Sequence, residues 1–590
     1  MRTISGVIAG FALMISAYGQ AFVHQKLGEG FTQVGTGILT ESGLPFWSAV
    51  ASGSNLDIFR ITGNTNFTAA ILGSNRIASP VAYHPTAGLL WEGQGSALGS
   101  GNADVFVETT NVSASVLGSG RTAFGFGFTS AGQPVWYGAG SANSNNLDIF
   151  LDSTNLTASV LGSGVRDGVP MSIVNDRLLW DGAGPNLGAN RDVFRTDLNT
   201  LATTNISQSP LGSNRFAVAA ALNSNGDAVW HGSGSATGDY NDVFFNSTNV
   251  SFPVIGGGNL NNPRDAVAFD VSGNNLIWQG RSAATNQFFD SFVTTISGGT
   301  VNMSQSVLGA GRESQPVDVE GASVLWNGFG DNVGNYDVFV TRPGVTRNLS
   351  QLRFGGGNTT GVREGYGIGV FSNGNAFWLG KHSSTNAKVH LFHYRWSSNS
   401  STNLVQEAVN RDADAVYLAH NSAEQVLWAI PTSSGSYEVY LSTPNIPTTL
   451  QGTVTIPGFA GNTNQIVLTI RQRDPYTGNV AATHTGNMNS GFTYSIAVTP
   501  GLYDGLRITA PRCLARNIPG LRRLLGATTL DFSLTLGDVN GDNIIDDADL
   551  LAVLFEFGNS TNAPADVNGD GIVDDADLLT VLFNFGAQGD

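Results

Sequence analysis

A tryptophan that returns every 44 to 52 residues constrains this chain more than any other feature: Trp47, Trp91, Trp136, Trp180, Trp230, Trp278, Trp326, Trp378 and Trp428. Ten to thirteen residues after each comes an acidic-x-aromatic signature. It reads Asp57/Phe59, Asp104/Phe106, Asp148/Phe150, Asp192/Phe194, Asp242/Phe244, Asp290/Phe292 and Asp337/Phe339, with a weaker Glu438/Tyr440 in the ninth copy. The eighth copy has His390 and Phe392 instead. Residues 121–164 show the unit most clearly. TAFGFGFT, the turn SAGQ, PVWYGAG, an Asn/Ser-rich loop, LDIFLDS and LTASVLG read as four short strands. β-Branched and aromatic runs punctuated by Gly, Asn and Ser are the chemistry of an antiparallel meander.

Four strands repeated at this period predict a β-propeller over residues 22–443, and the repeats resemble the TolB/WD40 type. The expected fold class is therefore mostly β, with eight or nine four-stranded blades. The ninth copy lacks a segment of the LTASVLG kind. Residues 21–30, AFVHQKLGEG, match it through Leu27-Gly28. The N-terminal strand is thus expected to complete the last sheet and close the ring, which removes an exposed edge.

Two polar features repeat in register. Asn-x-Ser/Thr recurs in register at Asn66, Asn111, Asn155, Asn205, Asn249, Asn302 and Asn348, each of these seven entering the fourth strand. Turn chemistry of Asn and the strand preference of Thr explain that place without a glycan. Arg76, Arg121, Arg166, Arg215, Arg264, Arg312, Arg363 and Arg411 each precede a first strand. They are expected to bridge the Asp of Asp-x-Phe within the same unit. The tryptophans are expected in the core between blades.

An active site needs one set of residues, so it should break the repeat. The off-pattern polar groups are Glu92, Asp181, His231, Asp318 with Glu320, Asp412 with Asp414, and His390 with His393. Carboxylates at i and i+2 share a strand face and could flank a glycosidic bond. Asp318/Glu320 and Asp412/Asp414 are the candidate catalytic pairs. No nucleophile elbow, zinc motif or phosphate loop accompanies them.

Residues 1–21 read as a secretory signal: Arg2, an apolar run over 7–15, and Ala17-Tyr18-Gly19 before Gln20. The run is too short to span a bilayer, and a secreted or cell-surface protein with no membrane span is expected. One cysteine, Cys513, excludes a disulfide framework. Net charge is −17 without a basic patch, which argues against nucleic acid as partner.

Residues 444–447 form a linker. In 448–536, LQGTVTIPGF, NQIVLTIRQRDP, GFTYSIAVTPGLYDGLRIT and TTLDFSLTL alternate as strands of a small immunoglobulin-like β-sandwich. With Gly452–Val454 and Pro500–Asp504 the segment resembles the carboxypeptidase-regulatory-like Gly-Thr-Val…Pro-Gly-x-Tyr-Asp modules of exported bacterial proteins, which implies a spacer. Arg512, Arg516, Arg522 and Arg523 read as a solvated surface.

Residues 537–590 carry eleven Asp and one Glu with no Lys or Arg, so −12 of the net charge lies there. Asp538, Asn540, Asp542, Ile544, Asp546 and Asp549 recur 28 residues later as Asp566, Asn568, Asp570, Ile572, Asp574 and Asp577. Side-chain oxygens at positions 1, 3, 5, 9 and 12, with a backbone carbonyl at 7, are what a Ca²⁺ ion requires, and two ions are expected. Asn543 and Gly571 allow the sharp turn at position 6. Each loop runs into an apolar helix, ADLLAVLFEFG or ADLLTVLFNFG. Duplicated EF-type loop-helix units with Asp at position 12 resemble a type I dockerin, which implies a protein partner. Dockerins that dock cohesins carry Ser/Thr at positions 10 and 11 and Lys/Arg in the helix. Here those positions are Asp547-Ala548 and Asp575-Ala576, and the helices hold no basic residue, which argues against a cohesin.

Three classes of function follow. The first is a secreted binding protein whose repeats recognise a neutral glycan or a protein surface and whose calcium tail attaches it. The second is a polysaccharide-degrading hydrolase or lyase carrying a dockerin. The third is a structural surface or matrix protein. Regularity without a convincing catalytic set favours the first.

Overall fold

The computed structural model describes residues 20–61, 66–99, 101–256, 264–282, 285, 287–309, 311–330, 333, 335–355, 363–382, 385, 387–560 and 564–590. The signal-peptide reading falls on residues outside these, save Gln20 and Ala21. The described chain is mostly β, in many small sheets.

The third unit is representative. Thr122–Phe128, Pro134–Ala139 and Asp148–Leu151 pair antiparallel in order, and a two-residue strand, Thr154–Asn155, follows. The expected fourth strand stops there. Ala158–Leu161 is instead one helical turn, ended by Gly162. The reason is local: the Asn155 side chain accepts the amides of Thr157 and Ala158, which bends the chain before the ladder can continue. Units six to eight keep longer fourth strands, Gly299–Asn302, Val345–Asn348 and Ser400–Asn403.

The last sheet is completed from the other end of the repeats. Phe22–Phe31 pairs antiparallel with Tyr437–Pro444 from Phe22 opposite Pro444 to Phe31 opposite Tyr437. The strand Gln33–Leu39 of the first unit packs against Val416–His420 and Val426–Pro431 of the ninth, so the first and last sheets are neighbours.

All nine tryptophans of the repeat series are fully buried. In seven units the indole stacks on the aromatic of the next strand at 4.1–4.4 Å, as Trp136 does on Phe150. Such stacking adds about 0.5–1.5 kcal/mol to the burial itself. Trp136 lies in one core cluster with Leu90, Val105 and Leu117 of the preceding unit, so the indoles cement one sheet to the next. The glycine two residues on is obligatory where the ring folds over it: a Cβ at Gly280 would stand 2.6 Å from the Trp278 ring.

Beyond the repeats, two four-stranded sheets hold Thr449–Thr455 with Thr493–Ala497, and Val467–Arg473 with Val480–Asn487, Gly501–Thr509 and Arg516–Leu524. Val480–Asn487 and Arg516–Leu524 are not among the expected strands. The second carries Pro519 and three of the arginines expected on a solvated surface, and it is an edge strand, where Pro is tolerated. One hydrophobic core runs from these sheets into the tail, joining Leu450, Leu468 and Ile508 to Val553, Val567 and Val581.

Candidate functional site

The repeated Asp, Asn-x-Ser/Thr and Arg converge. Asp148 accepts the hydroxyl of Thr157, the amide of Asn155 and two guanidinium donors of Arg166. Arg166 also donates to the carbonyl of Gly162, at the end of the helical turn. Burial works against the charge of Asp148, but the Arg166, Thr157 and Asn155 hydrogen bonds outweigh it and hold the carboxyl below the usual range.

Each such arginine opens the unit after the one that supplies its aspartate. Seven bridges of this kind, from Asp57–Arg76 to Asp337–Arg363, have N···O distances of 2.5–2.8 Å. The ion pair therefore spans neighbouring units and does not lie within each, which corrects the sequence expectation. Only Arg411 pairs inside its own unit, with Glu438, because His390 stands where the eighth unit would supply an aspartate. The carboxylates of the seven inter-unit bridges are buried and bonded within the fold.

The residue after tryptophan explains several off-pattern groups. Glu92 accepts the amide of Gly125, Asp181 that of Ala219, His231 that of Ala268, and Asn327 that of Gly367. Each of those amides adjoins a bulge in the first strand of the next unit. A bulge leaves ladder groups unpaired, and these side chains satisfy them. Burial pushes His231 down to about 4, against the nearby Asp265, and raises Glu92 and Asp181.

The candidate catalytic pairs do not converge. Asp318 turns inward and accepts the amide of Val370 at 2.7 Å, with Asp270 as its carboxyl neighbour. Glu320 is exposed, 3.4 Å from the Ser272 hydroxyl. Asp412 accepts from Gln406 at 2.8 Å and lies 3.8 Å from His390. Asp414 accepts the amide of Val389 and meets Lys388. His390 bonds to Asn403, while His393 bonds to Glu424 at 2.7 Å. The Asp270–Asp318 contact escaped sequence reasoning; the departure of both residues from a position held elsewhere by small side chains could have revealed it.

The tail loops repeat one hydrogen-bond scheme twice. At position 1, Asp538 accepts the amides of Gly541 and Asn543, and Asp566 those of Gly569 and Gly571. At position 3, Asn540 accepts Asp542 N, and Asn568 accepts Asp570 N. At position 5, Asp542 accepts Ile544 N, and Asp570 accepts Ile572 N. Position 9 caps the helix: Asp546 and Asp574 are N-caps reciprocated by Asp549 and Asp577 at position 12. The sharp turn at position 6 is left-handed, with φ 73° at Asn543 and 97° at Gly571. Asn rather than Gly stands in the first loop because its side chain also accepts the amide of Ala515 at 2.7 Å.

Burial raises the carboxyl of Asp538, and the charges of Asp549 and Asp542 add to it; Asp577 is raised by burial and by Asp566. Among the described residues no group of three or more His, Cys, Asp or Glu side chains is arranged to hold a metal ion. The loop carboxylates rest on backbone amides, but the donor set itself, oxygen throughout, fits a hard cation.

The helices Asp547–Glu556 and Asp575–Phe583 point matching apolar residues outward. Phe555 and Phe583 are 82% and 83% exposed, and Leu551, Leu554, Phe557, Leu579, Leu582 and Phe585 are exposed beside them. Among the described residues no helix is long and apolar enough to cross a membrane.

No family model and no curated protein matches the chain. Solved structures with weak likeness include a type II cohesin-X-dockerin complex from Acetivibrio cellulolyticus, at 22% identity and TM-score 0.20, covering 24% of this chain and 97% of that one. A prolyl endopeptidase is 10% identical at TM-score 0.35 over 72% of this chain and 56% of its own. A puromycin-hydrolysing peptidase of Mycobacterium tuberculosis is 7% identical at TM-score 0.31 over 73% and 62%.

Proposed function

We propose that the chain is an exported binding protein in three parts: a β-propeller over residues 22–443, an immunoglobulin-like sandwich over 448–536, and a dockerin-like module over 537–590 that binds two Ca²⁺ ions and attaches the protein to a partner. The observation that carries this reading is the identical hydrogen-bond scheme of the two acidic loops. Asp538, Asn540, Asp542, the Ile544 carbonyl, Asp546 and Asp549 would hold one ion. Asp566, Asn568, Asp570, the Ile572 carbonyl, Asp574 and Asp577 would hold the other. Bound calcium supplies the positive charge that twelve acidic residues without a single Lys or Arg lack.

The pairing of Phe22–Phe31 with the ninth sheet and the packing of the first sheet on the last support a closed propeller of nine units. The exposed Leu/Phe faces of the two helices support attachment through a protein, since contiguous apolar surface of this kind marks an interaction site. The Asp-Ala loop ends and basic-free helices suit an apolar partner surface other than a cohesin. A binding role for the repeats is favoured over catalysis because the paired acids face different partners. A neutral glycan or a protein surface is the expected ligand.

Calorimetric titration of the full chain with CaCl₂ tests the tail. About two sites are expected, and both should vanish in the Asp538→Ala/Asp566→Ala variant. Absence of binding heat at millimolar calcium, or binding that survives in that variant, refutes the reading.

A further inference from the structure

Four departures from the repeat meet at one place. In units two to nine, the first-strand residue paired with the one before tryptophan is Ala82, Gly127, Ser172, Ala221, Asp270, Asp318, Gly369 and Ala419. Six of the eight are Gly, Ala or Ser. The two carboxyls occupy the adjacent strands Asp265–Ser272 and Glu313–Glu320, which pack against each other. The residue paired with tryptophan itself is Gly, Ala or Pro in units two to eight and Tyr417 in the ninth. Three positions after Tyr417 comes His420, where the other units place Val, Ile, Leu, Phe or Tyr.

These residues are in contact. Asp270 and Asp318 lie within hydrogen-bonding reach of each other. The Tyr417 hydroxyl is 2.7 Å from His420 Nδ1. Gly369 of the eighth unit lies between the two pairs: a Cβ there would stand 2.7 Å from His420 Nε2 and 3.4 Å from Asp318 Oδ2. Asp270 also accepts the amide of Val271 at 2.8 Å, and Asp318 reaches across to that of Val370. Two carboxylates cannot bond to one another unless a proton lies between them.

We propose that Asp270 and Asp318 share one proton and with it fasten the sixth unit to the seventh, and that this fastening loosens as the pH rises to neutrality and above. The groups that face the pair are His420 and Tyr417 on Val416–His420, with Glu41 beyond His420 and His231 bonded to Ala268 two residues from Asp270. Burial pushes Asp270 up to about 7, with the charge of Asp318 adding to it. Asp318 is raised by burial too, opposed by the Val370 amide and His420. Burial lowers His420, against the charges of Asp318 and Glu41.

The sign follows from linkage. The folded chain holds this proton more tightly than the unfolded one, so the contribution is complete below about pH 4 and is lost as pH rises to about 7. Hydrogen exchange on the full-length protein, corrected for intrinsic pH dependence, tests it between pH 5 and 8.5. Amides of Asp265–Ser272 and Glu313–Glu320 should exchange about tenfold faster, or more, at the higher pH, while first strands of units two to four stay unchanged. In Asp270→Asn, whose amide donates at every pH, that local response should disappear. A uniform response across all units, or the same response in Asp270→Asn, overturns the proposal. Should Asp270→Asn fail to fold, Asp318→Asn and the regional comparison in the unaltered protein decide it.

Discussion

The repeats and the tail both set aspartates at fixed spacing, yet they treat the charge in different ways. In the repeats each aspartate receives an arginine from the following unit, together with Asn and Ser/Thr donors, and almost no exposed oxygen remains. In the tail no basic residue stands within the loop sequences, and the carboxylates accept backbone amides and the side-chain amides of Asn540 and Asn568. The same residue type thus serves internal joinery in one region and, on the proposed reading, is left for an external cation in the other. What separates the two cases is whether a cation lies within the sequence register, and no carboxylate taken alone reveals it.

Three measurements would break or sharpen this contrast. Deleting residues 22–28 removes most of the strand opposite Tyr437–Pro444 and exposes its edge. The melting temperature of the repeat region should fall by more than for any single substitution, while calcium binding by the tail stays as it was. A silent deletion would mean that the closure contributes nothing. Next, Asp242→Ala leaves Arg264 buried without its partner, which costs about 3–5 kcal/mol. The loss should be the same with calcium or with chelator, as read in thermal melts; a calcium-dependent loss would erase the distinction between the regions. The third effect is smaller. Adding calcium at about 100 times its dissociation constant should stabilise the tail by about 2.7 kcal/mol per site, with the repeats unmoved. Because the tail shares a core with the two sheets before it, the sheets should melt with the tail. Independent melting of the two would show that the common core does not couple them.

Much of this architecture can be read from residues alone, because period and composition act locally. Trp-x-Gly and Asp-x-Phe announce strands and their stacking, and twelve ligand-type positions at a fixed spacing announce the loops. Connectivity between copies is harder. Arg121 has two equivalent aspartates, Asp104 before it and Asp148 after it, and only the packing of sheets selects the first. The run Ala158–Leu161 reads as strand by its β-branched Val and Thr157, and an Asn side chain three residues earlier overrides that preference. Asp318 stands out as irregular, but its partner is Asp270, one unit away, rather than Glu320 two residues on. A strand-face argument reaches i and i+2; it cannot see across sheets.

The direction of the interlock has a consequence for how such a chain changes over generations. Each aspartate is met by whichever copy comes next, through groups that every interior copy carries. Gaining or losing one whole interior copy by recombination would therefore leave no orphaned charge at the splice. Copy number is free to drift, and only the two ends are particular: Phe22–Phe31 fits the sheet that ends in Tyr437–Pro444, and Arg411 finds Glu438 where the pattern of Asp and Arg runs out.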